Sequence, residues 1–71
     1  MRIDPGDYVM LRSEAVLSLL EQGHDNLGGQ VAEVVDMRVV PDGVDLTLRF
    51  DGVKTLITDI PIDLVHSVGI C

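Results

Sequence analysis

Seventy-one residues carry twelve Asp and Glu against five Lys and Arg, a formal net charge of -7 with neutral His. That length fits one domain, 1–71, with a marginal core, and that charge disfavours direct nucleic-acid binding and docking on an anionic membrane. With 46% apolar residues but only Tyr8 and Phe50 as aromatics, the core must be Val, Leu and Ile, which suits strands.

No apolar run approaches the roughly 18 residues of a membrane span, and the polar start Met1-Arg2-Ile3-Asp4 does not read as a signal peptide. Cys71 is the only cysteine, so a disulfide within the chain is excluded. One unpaired thiol fits a reducing compartment, and the expected location is the cytoplasm.

Asp4-Pro5-Gly6 predicts a turn, and a first strand follows over about 7–12, with Val9 and Leu11 on one face and Tyr8 and Met10 on the other. Ser13 suits an N-cap, Glu14 the positive end of a helix, and Gly23 a left-handed C-terminal cap. Between them Val16, Leu19 and Leu20 fall at helical spacing, with Leu17 widening the stripe, so a short helix is predicted over about 13–22. About ten residues cannot hold a helix alone, and its stripe must pack on its own sheet or on a partner.

His24 to Gly29 is a loop by composition, and a long second strand over 30–40 follows. Val31, Val35, Met37 and Val39 share one parity while Ala32 and Val34 share the other. An apolar face that changes sides predicts a bent or bulged strand. After the turn Pro41-Asp42-Gly43, the run Val44 to Phe50 alternates without error: Val44, Leu46, Leu48 and Phe50 on one face, Asp45, Thr47 and Arg49 on the other. Asp51-Gly52 predicts a tight reversal into a fourth strand over 53–60, then a 3-10 turn near Pro61-Leu64 and a closing strand over 65–68.

The segments Gly6-Asp7-Tyr8-Val9, Gly28-Gly29-Gln30-Val31-Ala32-Glu33-Val34, Leu48-Arg49-Phe50-Asp51-Gly52 and Ile60-Pro61 leading into Leu64-Val65 resemble the SH3-like barrel superfamily, from Gly6 to Val68. The resemblance implies a mainly β fold: a small five-stranded barrel with one short helix inserted between strands 1 and 2. Proline-rich-peptide binding is not expected, because the chain has no Trp and only Tyr8 as a groove wall. Gly29-Gln30-Val31 is similar to the glycine-valine core of KOW-type modules, many of which contact RNA, but Glu33 and Asp36 stand near it rather than Lys or Arg. The chain looks more like barrels that serve as small accessory subunits in larger assemblies.

Catalytic constellations are thin. His24-Asp25-Asn26 and the distant His66 fall short of the three or four convergent ligands a metal needs, and a polar turn explains the triplet. Asp42-Gly43-Val44-Asp45 lacks the ligand ladder of a calcium loop. Ser13, Ser18, Ser67 and Cys71 have structural or terminal placements, and Gly28-Gly29 precedes a strand rather than a phosphate-binding helix. No catalytic, cofactor or metal residue is therefore expected, and the chain is not read as an enzyme. What remains is surface: an interface at Tyr8, Met10, Val16, Leu17 and Leu20, and an acidic face at Asp45, Asp51 and Asp59. The expectation is a small acidic interaction module or accessory subunit that self-associates or docks on a larger protein. The alternative is an acidic decoy occupying a nucleic-acid-binding surface of another protein.

Overall fold

The structure is a computed structural model, and it describes residues 3–68. Met1, Arg2 and the Cys71 thiol considered above lie outside the described residues. The fold is mainly β: strands β1 (Tyr8–Leu11), β2 (Val31–Val40), β3 (Gly43–Phe50), β4 (Ile57–Pro61) and β5 (Val65–Ser67), with helix α1 (Ser13–Glu21) after β1 and a 3-10 turn (Ile62–Leu64) before β5. All five strands form one antiparallel sheet in the order β4-β3-β2-β1-β5.

The alternation of β3 is what anchors this sheet. Leu46, Leu48 and Phe50 are all buried, Val44 is half-buried against them, and Asp45, Thr47 and Arg49 point to the other side. Around them gather Val9 and Leu11 of β1, Ala32 and Val34 of β2, Ile57 and Ile60 of β4, and Val65 of β5. Among the described residues the buried side chains are all apolar, so no desolvated polar group weakens the core. Fully burying each Leu, Val, Ile or Phe contributes roughly 1.5–3 kcal/mol. Ile3, just before the Asp4-Pro5-Gly6 turn, and Leu27, in the His24–Gly29 loop, also join this core.

The change of parity in β2 has the expected cause. Val34 pairs with Leu48 and Asp36 with Thr47, so Val35 is an extra residue without a partner on β3. This bulge moves the inward face from Ala32 and Val34 to Met37, which packs on the core. A second bulge lies on β4: Leu46 pairs with Ile60 and Leu48 with Ile57, so Thr58 and Asp59 together oppose Thr47. Asp59 takes φ 61°, the left-handed conformation that Asp tolerates better than most residues.

The fourth strand is shorter than the predicted 53–60. A turn does form at Asp51-Gly52: Val53 N donates to Phe50 O at 3.2 Å, and Gly52 adopts φ 80°. The ladder to β3 nevertheless resumes only at Ile57. Apolar residues at Val53 and Leu56 mimic a strand, but they belong to a wide connection rather than a tight hairpin. The sheet's edges are β4 and β5, and both resist further pairing. β4 carries the bulge and ends in Pro61, while β5 has three residues.

Helix α1 starts differently from its sequence signals. Its N-cap is Arg12, whose carbonyl accepts from Ala15 and Val16, and no side-chain cap bond forms. Ser13 is the first helical residue, because β1 runs almost directly into the helix and Arg12 N is held by Leu64 O at 2.8 Å. The C-terminus closes as expected. Gly23 N donates to Leu20 O and His24 N to Leu19 O, with Gly23 at φ 92°. The helix packs on its own sheet through Ala15 and Leu19, with Val16 half-buried.

Candidate interaction surface

Strand β1 alternates between core and surface. Val9 and Leu11 point inward, so Tyr8 and Met10 point to the other face, Tyr8 at 44% exposure and Met10 half-buried. Antiparallel register places Met10 beside Val31 and Tyr8 beside Glu33 on β2, and Glu33 in turn beside Arg49 on β3. On the opposite flank Met10 pairs with His66 of β5. Met10 and Val31 are directly opposed, with Cβ atoms roughly 5 Å apart. Tyr8 lies diagonal to Val31 on the same face and beside it in one depression, so the three make one apolar patch.

Charge rims this patch. The Arg49 guanidinium donates to the Glu33 carboxylate across the β2-β3 ladder. Asp51, in the turn after β3, stands at the edge of an open depression of about 630 Å³ lined by Tyr8, Val31, Glu33, Arg49 and Val53. Val31 itself is 43% exposed, and it is the residue of this patch that the sequence did not pick out. The signal was available: once β1 faces Tyr8 and Met10 outward, the antiparallel partner of Met10 must face outward too.

The remaining interface candidates form a separate stripe on α1. Leu17 and Leu20 are exposed at 60% and 41%, and Val16 is half-buried beside the loop at Gly28. None of these three lines the depression beside Tyr8. The five candidates are therefore two surfaces, not one. Val39 and Leu56 are further exposed apolar residues outside both groups.

The acidic candidates also separate. Asp45 and Asp59 converge on Arg38, at 4.0 and 3.0 Å. Asp51 lies in the turn past the end of β3, six residues on from Asp45 and beside the Tyr8 depression. Both Arg38 and Arg49 are thus engaged by carboxylates of their own chain.

The polar loop behaves as a turn. Asn26 Oδ1 accepts from Gly28 N at 2.9 Å, and His24 N closes the helix. Among the described residues no group of three or more His, Cys, Asp or Glu is arranged to hold a metal. Ser18 accepts a hydrogen bond from the Gln22 side chain, one helical turn on. His24, Ser18 and Asp59 do share a groove of about 280 Å³ between α1 and β4, but no hydrogen bond links the three side chains. No described helix is long and apolar enough to cross a membrane. Compared with protein-family models, curated proteins and solved structures, the chain gives no match in any of the three.

Proposed function

We propose that the chain is a small SH3-like barrel acting as a non-catalytic interaction module, which docks on another protein through the outer face of β1 and β2. The observation that carries this is the contiguity of Tyr8, Met10 and Val31 on the side of the sheet away from the core. Tyr and Met are enriched at interface centres, and here they are supported by a rigid ladder rather than a loop. The barrel reading is supported by the return of β5 to β1 through a 3-10 turn, and by bulges in β2 and β4 that curl a short sheet. The decoy alternative draws less support, because Asp45 and Asp59 surround Arg38 and do not continue to Asp51 as a stripe. The reading is tested by comparing partner capture with the wild-type chain and a Tyr8→Ser, Val31→Ser variant. Both positions are exposed, so the variant folds; capture that survives in full removes the face from the interaction.

A further inference from the structure

Resting on that docking face, we infer that its partner presents a Lys or Arg side chain flanked by apolar residues, seated in the depression between Tyr8 and the β3-β4 connection. The floor and walls supply both halves of such a side chain's needs. Val31 and Val53 in its lining suit a methylene stem, and Tyr8 and Asp51 in the same lining suit its charged head. Glu33 and Arg49 offset one another at the rim, so Asp51 is the acid that remains to meet a cation there. An anionic visitor would find only Arg49 there, already engaged.

Charge also selects between partners. A second copy would bring another -7 to the face. Among the described residues it offers Arg12, Arg38, Arg49 and Lys54 as cations, two of them held by their own carboxylates. A basic segment of a different protein meets no such repulsion, and its association is accelerated by the acidic field. The occupant is therefore a cationic, partly apolar protein surface.

The test is a backbone-amide NMR titration of the whole chain with two end-capped peptides, Gly-Leu-Arg-Leu-Gly and the same peptide with Gln replacing Arg. The expected result is that the Arg peptide shifts Tyr8, Val31, Gly52 and Val53, and binds at least about tenfold more tightly than the Gln peptide. Its binding weakens with added salt and in Asp51→Asn, an exposed substitution that leaves the fold intact. Equal binding of the Gln peptide at this face overturns the cation while leaving the docking face standing. Shifts centred on Asp45 and Asp59, or no shifts with either peptide, overturn the inference as well.

Discussion

Arg38 on β2 reaches over β3 and donates to Asp59 on β4 at 3.0 Å, tying together three strands around a residue in the left-handed conformation. Asp45, directly opposite Arg38 on β3, lies beneath at 4.0 Å. Asp59 lies in the β4 bulge, two residues before Pro61, which pairs with Asp45, so it shares the outer face with Asp45 and Arg38.

Backbone geometry, more than the ion pair, makes Asp59 sensitive. Both partners are about two-thirds exposed, 68% for Arg38 and 67% for Asp59, so the pair contributes only about 0–1 kcal/mol. A left-handed φ costs most non-glycine residues roughly 1–2 kcal/mol. Asp59→Ala should therefore be less stable than Asp59→Gly by about 1 kcal/mol, or roughly 4–8 °C in melting temperature. Arg38→Gln should stay near wild type. Chemical denaturation of the three variants decides it, and an Arg38→Gln loss as large as that of Asp59→Ala would reverse the assignment.

The two ends of α1 make opposite predictions. Gly23→Ala forces a side chain into φ 92° and should cost about 1 kcal/mol. Ser13→Ala should change stability by less than about 0.5 kcal/mol, since no side-chain cap bond is lost. A loss of about 1 kcal/mol at Ser13, the usual value for a working N-cap, would show that the serine caps after all.

Core and surface valines and leucines separate just as sharply. Leu48→Ala removes a side chain with no exposure and should cost roughly 2–5 kcal/mol, enough to unfold most of a domain this small. Val39 is 85% exposed at the end of the β2-β3 hairpin, and Val39→Ala should lie within about 0.5 kcal/mol of wild type. Thermal melts followed by circular dichroism measure both.

Acidity predicts a monomer. Light scattering at low salt should give the mass of one chain across a wide concentration range, with a melting temperature that does not rise with concentration. A dimer that tightens on dilution of salt would contradict the charge argument.

Much of this architecture is legible locally. The error-free alternation of Val44 to Phe50 identifies β3, and the parity switch between Val34 and Met37 announces a bulge. The rest depends on contacts that spacing does not encode. Val53 to Leu56 has strand composition, but whether it pairs is decided by the turn at Phe50-Val53 and the register to Leu48. Leu20 fits the helical stripe as well as Ala15 does, yet the helix rotates to bury the smaller Ala15 beside Leu19. For the surface, alternation alone turns Tyr8 and Met10 outward, whereas Val31 needs the β1-β2 pairing to be found. The grouping of Asp45 with Asp59, and not with Asp51, follows from the reach of Arg38.

The most direct test of the docking face is position-specific photo-crosslinking, with the photoreactive residue placed at Val31 in one chain and at Leu17 in another. Both sites are exposed and apolar, one on the sheet face and one on the helix stripe. A discrete partner adduct from Val31, suppressed by high salt and absent from Leu17, is the predicted result. An adduct from Leu17 with none from Val31 would move the interaction to the helix and contradict the account.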